Sequence, residues 1–130
     1  MIEESIRDRG LAFTALTDLI GRNMHITQNH NSDNNYVVVN VINDETPIEV
    51  QLESNQSEAA IQFDCYSKSA QSAKDIAKTI DTIFNKQGFA DARVNVQFAK
   101  KESRLPDYEP DSGLFRESSD YIFYYHITEV

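Results

Sequence analysis

The segment from Phe115 to Ile127 constrains this chain more than any other. It holds Phe115, Tyr121, Phe123, Tyr124 and Tyr125, a density of aromatics that predicts one long strand. At about 3.3 Å per residue those residues extend about 43 Å, roughly twice a common small-domain strand. Such a strand must bend, carry a bulge or outrun the body of its domain. Alternation sends Phe123 and Tyr125 to one face and Ile122 and Tyr124 to the other. Both faces are apolar, so both need cover.

The rest of the chain supplies cover for only one face. Ile2, Ile6, Phe13, Leu16 and Ile20 recur at helical spacing and predict a helix over 2–20, with Gly10 interrupting it and Gly21 at its C-terminal cap. Asn23 to Asn35, with five asparagines and two histidines, reads as a long loop. Tyr36 to Asn43 is a β-branched strand. Ile48, Val50 and Leu52 alternate with Glu49, Gln51 and Glu53, predicting a half-buried strand with an acidic outer face. Ala59, Ile61, Phe63 and Cys65 then alternate in a third strand. Ala70, Ala73, Ile76, Ala77, Ile80, Ile83 and Phe84 form one stripe of a second helix, capped by Ser69 or Ser67 and ended at Gly88. Val94, Val96 and Phe98 predict a fourth strand, and Lys100 to Gly113 a polar connection closing in the turn Pro110-Asp111-Ser112-Gly113. The expected fold class is α+β, a single domain over 1–130. It is a mainly antiparallel sheet with two helices on one face, in the order α–β–β–β–α–β–β. The uncovered face must meet a loop or another subunit, which points to oligomerisation.

Composition narrows the function. The 130 residues carry 21 acids and 12 bases, a net charge of −9. This argues against a nucleic-acid-binding module, which needs a basic face. Residues 1–64 hold 11 acids and 3 bases, whereas 65–130 hold 10 and 9, so the acidity belongs to the first half. One cysteine, Cys65, excludes an internal disulfide and a cysteine-only zinc site. No signal peptide and no apolar run of membrane-spanning length is expected.

Catalytic patterns are missing. The four glycines are scattered, and there is no G-x-S-x-G or H-E-x-x-H. His25, His30 and Asp33 are metal-ligand types but lie in a polar loop without a regular second pair, so they read as solvated. Cys65 and His126 could serve as nucleophile and base, but Cys65 keeps phase with Ile61 and Phe63 and reads as a buried thiol. Asp64 and Asp120 are acid–base types that nothing in the sequence brings together. The aromatics Tyr121, Phe123 and Tyr125 sit among acids, unlike base-stacking aromatics, and read as core or subunit packing. The expectation is a non-enzymatic protein with no cofactor and no metal.

Several segments together resemble a known family: Ala15-Leu16-Thr17-Asp18-Leu19-Ile20, Ile61-Gln62-Phe63-Asp64-Cys65-Tyr66 leading into the alanine-rich helix, Tyr108-Glu109-Pro110-Asp111-Ser112-Gly113-Leu114-Phe115-Arg116, and Asp120-Tyr121 with its aromatic strand. Across nearly the whole chain this looks like the tail terminator, or tail completion, proteins of long-tailed bacteriophages. The resemblance implies a virion protein at the head-proximal end of the tail, assembled in the host cytoplasm. It implies a homo-oligomeric ring, a hexamer, that caps the tube of major tail tube protein, stops its growth and meets the head connector. DNA would pass through the lumen without specific binding, and no membrane is involved. Under this reading Tyr108, Pro110, Gly113 and Arg116 shape the loop before the last strand near a subunit contact, to which Tyr121, Phe123 and Tyr125 also contribute. Glu49, Gln51 and Glu53 form an acidic face toward the lumen or tube. The alternative is a head-completion or connector-adaptor protein of the neck. A small-molecule or protein-binding module is a more distant rival.

Overall fold

The structure, a computed structural model, describes residues 2–26, 35–45 and 56–128. Its elements are α1 (Ile2–Leu11), α2 (Thr14–Ile20), β1 (Met24–Ile26), β2 (Tyr36–Glu45), β3 (Gln56–Ser67), α3 (Ala70–Phe84), β4 (Phe89–Ala90), β5 (Val94–Glu109) and β6 (Leu114–Ile127). The class is α+β, but the order is α–α–β–β–β–α–β–β–β, with three helices instead of two.

The single helix expected over 2–20 is two. Phe13 takes an extended conformation (φ −99°, ψ 118°) and breaks the run. The break lets α2 turn so that Leu16 and Ile20 reach the same core as Ile2 and Ile6. Phe13 itself leaves the stripe, and its ring lies under the Arg9 guanidinium, 5.0 Å away. Gly10 serves packing here, because a Cβ there would stand 2.8 Å from the Met24 sulfur. Gly21 caps α2 at φ +64°, its N–H donating to the Thr17 carbonyl at 2.7 Å.

One six-stranded sheet runs β1-β2-β3-β6-β5-β4. It is mixed and not mainly antiparallel as expected: β1 runs parallel to β2, and the remaining neighbours are antiparallel. β1 arises inside the stretch expected to be loop. Met24, buried against Gly10 and opposite Val37, anchors it. The expected strand over Ile48 to Leu52 lies outside the described residues. The expected polar connection from Lys100 is instead the second half of β5, in register with β6 as far as Glu109 opposite Leu114.

The helices cover one sheet face. Val37, Val39, Ala59, Ile61, Phe63, Cys65, Tyr121, Phe123 and Tyr125 point there and meet Ile2, Ile6, Ile76, Ile80 and Phe84 in one buried cluster. Phe63 stacks on Phe84 with ring centroids 5.1 Å apart and meets Tyr121 edge-on at 5.4 Å, contacts worth about 0.5–1.5 kcal/mol each beyond area burial. The Ser69 side chain accepts from the Ser72 N–H at the N-terminus of α3 (3.3 Å), and Ser67 Oγ accepts from the Ser69 N–H (3.1 Å), so both expected serines take part. Arg9 ties α1 to the end of α3 by donating to the Ile83 carbonyl at 3.0 and 3.3 Å. Arg93 ties α1 to the turn before β5 through Asp8 and Asp91, each at 3.1 Å. Asp81 of α3 pins the helix to the far strands: it pairs with Lys101 at 2.8 Å and accepts from the Tyr121 hydroxyl.

Candidate interaction surface

The opposite sheet face carries no helix among the described residues. Its side chains follow from the register. Tyr36, Tyr66, Arg116 and Asp107 form one cross-strand row, Val38, Asp64, Ser118 and Leu105 the next, and Asn40, Gln62, Asp120 and Ser103 the one after. The first rows are tied together. Tyr36 stacks on Tyr66 with centroids 4.6 Å apart, and the two join Val38 and Leu114 in a second, small buried cluster. Burial and the neighbouring Tyr66 push the Tyr36 hydroxyl up to about 12. Arg116 donates to Asp107 at 2.6 Å. Asp64 is buried but satisfied, accepting from Asn40 (2.9 Å) and Ser118 (2.6 Å).

Two bulges then meet at one level of the sheet. The row Val41–Ile61–Tyr121–Lys101 is followed on β2 by an extra residue, Ile42, and on β5 by an extra residue, Glu102. A bulge inserts one residue, bends its strand and re-aims side chains. Ile42 and Glu102 therefore flank a groove of about 410 Å³, floored by Ala60, Gln62, Asp120 and Ile122. Ile42 is 62% exposed there. A third bulge between Val96 and Phe98 flips Phe98. The sequence pattern put Phe98 in phase with Val94 and Val96. The extra residue Gln97 instead turns it to the outer face, where it is 43% exposed and stacks on Tyr124 at 4.8 Å. The outcome is an apolar band of Ile42, Ala60, Ile122, Tyr124 and Phe98, with Leu105 (66% exposed) further along β5. Carboxylates surround it: Glu58, Asp64, Glu102, Asp107 and Asp120, against Lys100 and Arg116.

The long strand β6 is continuous, and the bulges lie in its neighbour β5 and, one strand beyond β3, in β2. The sequence singled out Tyr108, Pro110, Gly113 and Arg116. They sit at the β5–β6 hairpin end, where Gly113 takes φ +73° and donates its N–H to the Glu109 carbonyl at 2.8 Å. Tyr108 packs on Phe115 with ring centroids 4.7 Å apart. Tyr121, Phe123 and Tyr125 are buried beneath the helices within the chain's own core, so the β6 side chains open to an outside contact are their neighbours Ile122 and Tyr124. Glu49, Gln51 and Glu53 lie outside the described residues, as do His30 and Asp33.

Cys65 and His126 point to opposite faces: Cys65 lies in the helix-covered core, and His126 follows Ile122 and Tyr124 on the other side. Burial pushes the Cys65 thiol up, away from the reactive thiolate. Asp64 and Asp120 do share a face, one register step apart, each held by neutral donors, with Ser103 donating to Asp120 at 3.0 Å. Nothing in the sequence flagged Glu102.

On the helix side, the exposed surface of α3 carries lysines. Lys74 and Lys78 lie one turn apart on the exposed face of α3, with Lys86 just beyond its end. None of the three has an ion-pair partner among the described residues. Of the two acids on the helix, Asp75 accepts from Gln71 at 2.9 Å and Asp81 is taken by Lys101.

No protein-family model matches the chain, and no curated protein matches it. Among solved structures, the fold is similar to a chain of the "Virion of native gene transfer agent (GTA) particle". The TM-score is 0.75 over 95% of this chain and 93% of that one, at 11% identity. The two chains share a fold along nearly their whole lengths.

Proposed function

We propose that this protein is a structural component of a phage-like virion, a tail terminator that closes into a ring, hexameric by the family resemblance. The ring caps the finished tail tube, ends addition of tube protein and offers a surface to the head connector. The end-to-end fold similarity to a chain of a gene transfer agent particle supports the virion part of this reading, and the terminator role rests on the resemblance of the sequence. The uncovered sheet face supports it, since an apolar band across four strands is costly to leave in water. Tyr108, Pro110, Gly113 and Arg116 then act at the rim of the subunit, as the rigid end of its longest hairpin. Glu49, Gln51 and Glu53 supply the acidic face toward the lumen or the tube; in the lumen the two glutamates would repel DNA phosphates. The protein needs no cofactor and performs no catalysis.

The test is electron microscopy of purified protein mixed with tail tubes. Rings at the head-proximal tube end alone, and tubes of uncontrolled length when the gene is deleted, are the expected results. Binding to capsid portals with no effect on tube length would replace this reading with the connector adaptor.

A further inference from the structure

The uncovered sheet face and the lysine face of α3 lie on opposite sides of one layered subunit and carry opposite charge. We propose that they are the two halves of one interface: the groove between Ile42 and Glu102 receives the Lys74–Lys78 face of α3 from a second copy. This deepens the ring reading and rests on it.

Three observations select this occupant. First, the groove sets apolar Ile42, Ala60 and Ile122 beside the carboxylates of Glu102 and Asp120. Lysine fits such a site, because its four-carbon stem lies along apolar surface while the ammonium meets a carboxylate. Second, Lys74 and Lys78 are exposed and have no ion-pair partner among the described residues of their own chain, so a neighbour's carboxylates are free to take them. Third, charge disfavours the simplest rival. A twofold dimer with its axis at the groove would bring Glu102 and Asp120 close to their own copies, with Lys100 opposite Ile122 offsetting only part of that charge, and like charges across an interface cost stability. DNA phosphate would be repelled in the same way. Because donor and acceptor patches lie on opposite sides of the subunit, pairing them is head-to-tail. It leaves one patch of each kind open until the chain of copies closes, and so it builds a ring or a filament.

Charge exchange tests this directly. Two double variants, Glu102→Lys with Asp120→Lys and Lys74→Glu with Lys78→Glu, are compared with the parent by sedimentation, alone and with tail tubes. Each should weaken self-association about tenfold or more, the scale of losing close charge pairs. The two reversals combined in one chain should recover most of it. Ile42→Ser, at an exposed position, should weaken association without moving the unfolding midpoint. Neutral variants, Glu102→Gln with Asp120→Asn, provide a check that the folded state survives. If either reversal leaves association at the parent level, or if the combination recovers nothing, the pairing is overturned while the ring reading stands. A parent protein that stays monomeric even on tubes would overturn the ring reading itself. Loss of tube binding with self-association intact would assign the groove to the tube protein and overturn the α3 pairing.

Discussion

Tyr36 shows how one side chain on the uncovered face can report on the fold. It is buried against Tyr66, and its hydroxyl is shifted from the ordinary 10 to about 12 because burial and neighbouring oxygens disfavour the phenolate. A tyrosine whose folded value lies above its unfolded one contributes stability that is whole below about pH 10 and is lost as pH rises toward about 12. Burial raises Tyr121 and Tyr125 in the same direction, helped by Asp81 and Asp44 beside their hydroxyls. Urea midpoints should therefore hold to pH 9 and fall steeply by pH 11. Tyr36→Phe should flatten part of that fall, measured by circular dichroism across the series. A variant whose alkaline loss matches the parent would show that Tyr36 titrates elsewhere. Aromatic identity at this position is plain in the sequence. Its burial is not, because alternation assigns a face without saying what lies over it.

At the scale of elements, the bulges are the decisive feature. Three of them, one in β2 against β3 and two in β5 against the continuous β6, set which side chains reach the outer face. Gly88 packs closely against the third bulge. A Cβ there would stand 2.6 Å from the Gln97 carbonyl oxygen and 3.0 Å from that of Val96, backbone atoms that cannot swing away. Gly88→Ala should cost about 1–3 kcal/mol, as overpacking does, read from urea denaturation. If the bulge relaxes, Phe98 should also become less accessible, as it returns toward the buried face of Val94 and Val96. Helical character over residues 2–20, though not its break at Phe13, together with α3 and the strands β2, β3 and β6, could be read from periodicity, since each has an apolar stripe or alternation long enough to count. Two kinds of feature could not. β1 is three residues whose only reason to be a strand is the edge of β2 beside it. The second half of β5, polar and rich in charge, is a strand because β6 pairs with it.

The whole molecule is a layered object with charge segregated across it: lysines on α3, carboxylates around the bare sheet face. If those faces meet between copies, association should weaken as salt rises, because the screening length falls from about 10 Å at 0.1 M to about 3 Å at 1 M. Sedimentation at several salt concentrations should show dissociation, with the thermal midpoint of each subunit unchanged. Salt-independent association would point to the apolar band alone.

The amino-acid sequence determined that this chain is α+β, acidic, built on one overlong aromatic strand, and short of cover on one side. Those properties follow from local periodicity and composition. The tertiary structure alone decided where the cover is missing and what fills the gap with charge. Bulges shift register by single residues, and each shift turns a side chain from one face to the other, as it does for Phe98. The groove between Ile42 and Glu102 exists because two such shifts, sixty residues apart in the chain, fall on one row of the sheet.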